Sequence, residues 1–331
     1  MLRKQQSGLT LVELMVALAI GSFLIIGAVQ IYNQSRQAFV VNESIARVQE
    51  TAQFAMDTIE ADLRMASNWG RTSRSLTIDG RSLDADPNPN GLAEPLDCGA
   101  GWALDLAMIV DGDNNGYAFP CAATGGAQAN SDSFTVRRAT VDPVARQAGR
   151  LQIQTTRIQG VLMDDGLLPP GFVEAFDPIT GDPLPGSSTT HNLLVNSYYV
   201  SADSDLIPGV PTLRRKTLGV GAGGPAIVDQ EIAPGVENLQ IQLGIDVDED
   251  NTVDRYVNPG DPVYDPAAAG FIPGARVMTA RIWLVVRGVT AEVGIQHTRN
   301  YDPGDINLGV PNDAFRRVQV SKTILLRNAR I

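Results

Sequence analysis

The sequence predicts an α+β protein: one long N-terminal helix followed by an antiparallel β-rich region. Two observations carry this. No proline precedes Pro87 and no charge interrupts Leu14 to Ser35, so nothing breaks a helix that starts near the N-terminus. From Arg71 onward the texture changes to glycine, proline and short β-like runs. Helix first and strands afterwards is the α+β order, with the helix laid across the sheet.

The apolar run comes first. At about 1.5 Å per residue, Leu14 to Ser35 is long enough to cross a hydrocarbon core of roughly 30 Å as a helix. Glu13 sits just inside its N-terminal end. A carboxylate at such a depth is costly, so it marks a functional residue with a designated partner. Beyond Val29 the pattern turns amphipathic. Val41, Ile45, Val48, Ala52, Ala55, Ile59 and Leu63 recur at steps of three and four, which is one apolar helix face. Glu43–Arg47 and Glu60–Arg64 stand four apart with the acid first, the favourable orientation. Gly70 is placed to end the helix, which then runs from about Leu9 to about Asn68.

The strands follow. Leu104–Val110, Ser133–Arg138, Leu151–Ile158, Leu193–Val200, Val236–Ile245, Arg276–Arg287 and Arg316–Arg327 read as β. In Val236–Ile245, Leu239, Ile241, Leu243 and Ile245 face one way, and Gln240 and Gln242 the other. Two connections are long and rich in proline and glycine, Asp164–His191 and Val257–Gly274, and loops of that size are functional or disordered. Gly219–Gly224 is glycine-rich, but no Lys-Ser/Thr follows and Pro225 interrupts any helix, so it reads as a turn and not a phosphate cradle.

The 331 residues carry a net charge of −11, which argues against sequence-independent nucleic-acid binding. The two histidines, His191 and His297, lack metal-ligand spacing and have no nucleophile or acid near them, so the chain does not read as an enzyme. Arg3 and Lys4 before the apolar run hold the N-terminus in the cytoplasm and place the remainder beyond the inner membrane. In that oxidising compartment Cys98 and Cys121, with 22 residues between them, are expected to pair. Two buried free thiols are the alternative.

Two acidic loops are candidate calcium sites. Asp246, Asp248, Asp250, Thr252 and Asp254 occupy alternate positions after the best strand, matching positions 1, 3, 5, 7 and 9 of a calcium loop. Asn251 at position 6 and Val257 at position 12 depart from that pattern, and a solvated acidic turn is the alternative. The second loop, with Asp111, Asp113 and Asn115, matches only at its start and reads primarily as Asp-Gly/Asn-Gly turn chemistry.

The leader, Gly8 before the apolar run, and the Gly-x-Thr-Leu-x-Glu pattern ending at Glu13 resemble a type IV prepilin or pseudopilin. The resemblance implies a pilin-like fold, cleavage after Gly8 by prepilin peptidase, and methylation of the new amine on Leu9, where the family usually has Phe. It also implies an assembly role for Glu13 toward the N-terminus of an adjacent subunit. The expected domains are then a leader at 1–8, a transmembrane and assembly helix at 9–35, its amphipathic continuation at 36–70, and a periplasmic or extracellular β-rich domain at 71–331. Downstream, Asn196-Ser197-Tyr198-Tyr199-Val200, Leu213-Arg214-Arg215, Val236–Asp246, Arg281–Arg287 and Leu325-Leu326-Arg327-Asn328 resemble the PilW family of minor pilins. That family implies a low-abundance subunit that primes pilus assembly or sits in the tip complex with other minor pilins and the major pilin, supporting twitching, adhesion or DNA uptake. The alternatives are a large pseudopilin of a type II secretion system and a calcium-dependent membrane-anchored adhesin.

Overall fold

The computed structural model describes residues 10–292 and 294–329. Among the described residues there is one α-helix, α1, which spans Leu11–Arg64. The strands are β1 (Ile78–Asp79), β2 (Val110–Asp113), β3 (Ser133–Ala139), β4 (Gln152–Thr155), β5 (Gly160–Met163), β6 (Thr189–Ser201), β7 (Thr212–Gly221), β8 (Gly224–Pro234), β9 (Val236–Asp246), β10 (Arg255–Val257), β11 (Arg276–Arg287) and β12 (Arg317–Leu325). The chain divides between Arg47 and Val48 into two compact units.

The first unit holds the apolar part of α1. Leu11, Leu14, Met15, Leu18, Phe23 and Leu24 are all exposed. By length and composition this stretch is able to cross a membrane. Glu43 and Arg47 form the expected pair at 2.6 Å.

In the second unit the strands form two sheets where a single sheet was expected. One has eight strands, with β1-β5-β4-β6-β3-β2 in order and β7 and β8 added through β6; the other runs β10-β9-β11-β12. All pairings are antiparallel except β1 with β5. The chain passes from one sheet to the other at Pro234-Gly235. Gly235 has φ +96°, and a Cβ there would lie 2.5 Å from the Arg287 carbonyl oxygen. Only glycine permits that close approach of β8–β9 to β11.

Val41 and Ile45 of the predicted stripe are only half-buried, and from Val48 onward the stripe is buried by residues of both sheets. Val48, Ala52, Ala55, Met56, Ile59 and Leu63 share one core with Phe134, Val136 and Tyr198 on the first sheet and with Leu239, Ile241, Ile282 and Leu284 on the second. A second core gathers Trp69, Trp102, Leu104, Ile153, Leu193 and Val195 around Cys98 and Cys121. Those cysteines form a disulfide, with Cα atoms 4.3 Å apart.

Three boundaries differ from expectation. The helix stops at Arg64, and Ser67 already has φ +62°. Gly70, at φ +87°, follows that turn, and its missing side chain leaves room for the His191 ring, which a Cβ would approach to 2.4 Å. Leu104 to Ile109 buries Leu104, Leu106 and Met108 but turns instead of forming a strand. Leu104 N–H donates to Gly101 O at 2.9 Å, and the buried Arg137 guanidinium donates to Trp102 O at 3.0 Å and Met108 O at 2.7 Å. The carbonyls are thus satisfied without a ladder. Leu151–Ile158 is strand only over β4, since Thr156 to Gln159 closes a turn through Gln159 O. Gly219–Gly224 holds the expected turn, at the tip of a long hairpin of β7 and β8 in which Gly221 pairs Gly224.

Candidate functional site

Thr10 and Glu13 open α1. Glu13 Oε2 accepts the Thr10 N–H at 2.9 Å and the Thr10 hydroxyl at 2.8 Å, and Thr10 Oγ1 accepts the Glu13 N–H at 3.3 Å. This is a reciprocal capping box, with Thr10 at the N-cap and Glu13 three residues on. The Thr-x-x-Glu spacing carried that signal in the sequence, but Glu13 was read only as an assembly residue. Both residues are exposed, so the carboxylate stands open to an incoming cation. Gly8 and Leu9, the expected processing residues, lie outside the described residues.

The C-terminal part of α1 is fixed to the sheets by two buried carboxylates on its packed face. Asp62 accepts the Tyr198 hydroxyl at 2.5 Å, Asn196 Nδ2 at 2.7 Å, and Arg138 Nη2 and Nε at 2.7 and 3.0 Å. Burial, reinforced by the Asp62 charge, pushes the Tyr198 hydroxyl well above the usual phenol range. Glu60 pairs with Lys322 on β12 and with Arg64, and the hydrogen bond from Lys322 holds its carboxyl low against the opposing effect of desolvation. Periodicity placed neither carboxylate at the core.

The Asn196-Ser197-Tyr198-Tyr199 and Leu213-Arg214-Arg215 motifs acquire physical roles here. Asn196 and Tyr198 face Asp62, while Tyr199 points to the opposite side of β6. There Asp229 accepts Tyr199 Oη, Arg214 Nε, Lys216 Nζ and Thr124 Oγ1, each at 2.8 Å. Desolvation works against ionisation of Asp229, but the donors from Lys216, Arg214, Tyr199 and Thr124 outweigh it and keep its carboxyl low. At the C-terminal end, Leu326 is buried and Asn328 Nδ2 donates to Ala66 O at 3.2 Å, just past the helix.

The loop after β9 brings three of its predicted ligands together. Asp246, Asp248 and Asp254 each offer an oxygen, and these lie within 4.8 Å of one another. Asp246 is fully buried, whereas Asp248 and Asp254 are exposed. Arg276 Nη2 lies 3.2 Å from Asp246 Oδ2, which also accepts Asn251 N–H at 3.0 Å. Asp250 stands outside the group: its Oδ1 accepts Thr252 N–H at 2.7 Å and the Thr252 hydroxyl at 2.6 Å.

The second acidic loop is arranged differently. Asp111 and Asp113 belong to β2 and join no comparable carboxylate group among the described residues. Burial raises the Asp111 carboxyl. Asn115 donates its N–H to Asp132 Oδ1 at 2.7 Å and its Nδ2 to Asp305 Oδ1 at 3.3 Å, in a turn. Asp132, which sequence reasoning passed over, anchors that turn to β9 by also accepting Ile241 N–H at 2.7 Å.

An exposed apolar N-terminal helix that becomes the core of a two-sheet β unit defines a class, the pilin-like α+β subunits. Residues 3–29 match the prokaryotic N-terminal methylation motif. Residues 197–328, from β6 to the C-terminal turn after β12, match PilW, type IV pilus-assembly protein W. Over these two segments the chain is similar to prepilin-type proteins and to PilW, which points to a type IV pilus-related pilin. Neither a curated protein nor a solved structure matches it. The family is one of structural pilins, and the signal motif implies processing by prepilin peptidase and association with other pilus subunits.

Proposed function

We propose that this chain is a minor pilin that primes assembly of a type IV pilus or caps its tip, together with other minor pilins and the major pilin. The observation that carries the reading is the coincidence of the PilW match over residues 197–328 with the methylation motif over residues 3–29. The exposed apolar surface of α1 supports it, since such a surface is stable only in lipid or against neighbouring helices. Before assembly the chain crosses the inner membrane once with its N-terminus cytoplasmic; afterwards α1 leaves lipid for the helical bundle of the fibre.

Glu13 is the residue that makes the transfer specific in this reading. In an apolar bundle its carboxylate requires a cationic partner, and the free N-terminal amine of a neighbouring subunit supplies one. The test is a chromosomal deletion complemented by the wild-type chain or by Glu13→Leu, with surface pili counted by electron microscopy. Wild type restores piliation and Glu13→Leu, though present in the membrane at normal amounts, does not. Full piliation of the deletion strain would exclude a priming role.

A further inference from the structure

The geometry points to a calcium site at the β9–β10 turn, built from Asp246, Asp248 and Asp254. Their oxygens fall within 4.8 Å of one another, which fits inside a coordination sphere with bonds of about 2.4 Å. An acidic turn alone would not distinguish a ligand site from a solvated loop. The second observation is Asp246 itself. It is 0% exposed, and its Oδ1 has no hydrogen-bond partner although Oδ2 is held by Arg276 and Asn251. A buried carboxylate oxygen without a donor is strongly unfavourable unless a cation meets it. One guanidinium against three carboxylates leaves the group short of positive charge.

The chemistry favours calcium over other cations. All the donors are hard oxygens, with neither imidazole nor thiolate in the group, which selects against zinc and copper. Magnesium demands a tight octahedron and gives up water reluctantly, whereas calcium accepts irregular shells of six to eight oxygens that include water. Calcium here joins the end of β9 to the start of β10 and screens the repulsion that otherwise loosens the hairpin. The inference does not depend on the role in pilus assembly.

The test uses the full chain in detergent, stripped with EGTA and titrated with CaCl2 by isothermal calorimetry and by thermal melting. Wild type binds one calcium per chain and melts higher in millimolar calcium than in EGTA. Millimolar MgCl2 gives a smaller rise. Asp248→Asn and Asp254→Asn, both at exposed positions, relieve part of the repulsion and melt in EGTA no lower than wild type, but bind calcium about tenfold or more weakly. Absence of calcium binding by wild type overturns the site. So does calcium binding that survives undiminished in both variants.

Discussion

Glu13 and Thr10 satisfy one another: the carboxylate takes the Thr10 N–H at 2.9 Å while the Thr10 hydroxyl oxygen takes the Glu13 N–H at 3.3 Å. The same carboxylate is thus the helix cap of the single subunit and the group proposed to engage a neighbour in the fibre. A carboxylate at the N-terminal end of a helix is favoured there by the exposed N–H groups.

That dual use separates two variants. Thr10→Ala loses the cap, at about 1 kcal/mol of local helix stability, but keeps the carboxylate. Glu13→Leu loses both, and enters the membrane more readily for lack of a charge. Pulse-labelling and membrane fractionation should show both variants inserted, and pilus shearing should show only Thr10→Ala incorporated. Equal loss of both from the fibre would assign the defect to helix capping.

Asp62 is expected to be a principal anchor of the helix to the first sheet. Asp62→Ala strands the Arg138 guanidinium, the Asn196 amide and the Tyr198 hydroxyl, and should cost about 3–5 kcal/mol. Tyr198→Phe removes one donor to a charged group and should cost about 1.5–3 kcal/mol. Denaturant unfolding of the detergent-solubilised chain checks the order. Tyr198→Phe as damaging as Asp62→Ala would contradict it.

The helix face and strands β3, β4, β6, β9, β11 and β12 were legible in the sequence from local pattern alone. The spacing of Val48, Ala52, Ala55, Ile59 and Leu63 needs only local geometry, and all five are buried. Asp62 was not legible, because its partners Arg138, Asn196 and Tyr198 lie 76, 134 and 136 residues away, and periodicity assigns charge to solvent. The β7–β8 hairpin was hidden for a related reason. Arg214 and Lys216 look like surface residues until Asp229 on the paired strand neutralises them. In the acidic loop the structure brings Asp246, Asp248 and Asp254 near one another, whereas Asp250, which alternate spacing also included, closes a turn onto Thr252.

The disulfide should stabilise chiefly by restricting the unfolded chain. For a loop of this size the gain is about 3 kcal/mol in the chain-entropy model. Cys98→Ser should lower the unfolding free energy by no more than about that amount, because the Trp69–Leu104–Ile153 core persists around it. Chemical unfolding of wild type with and without reductant should show the same decrement, and insensitivity to reductant would contradict it.

Asp132 predicts a pH dependence. Burial pushes its carboxyl up to about 7, even though Asn115 and Ile241 N–H groups each donate to it at 2.7 Å. Its native value lies above the unfolded value of about 3.9, so its contribution is complete below about pH 4 and is lost as pH rises through about 7. Within that window the slope approaches 1.4 kcal/mol per pH unit. The melting temperature of wild type should therefore fall between about pH 5 and pH 8 by more than that of Asp132→Asn. An identical fall in the variant would assign the dependence to other groups.

In the proposed role this chain leaves the membrane as a processed subunit of a pilus. Mass spectrometry of the chain in sheared surface fibres tests it most directly. The prediction is a mature N-terminus at Leu9, recovered in fibres at far lower abundance than the major pilin. Recovery only in the inner membrane, with Met1 to Gly8 still attached, would contradict the account.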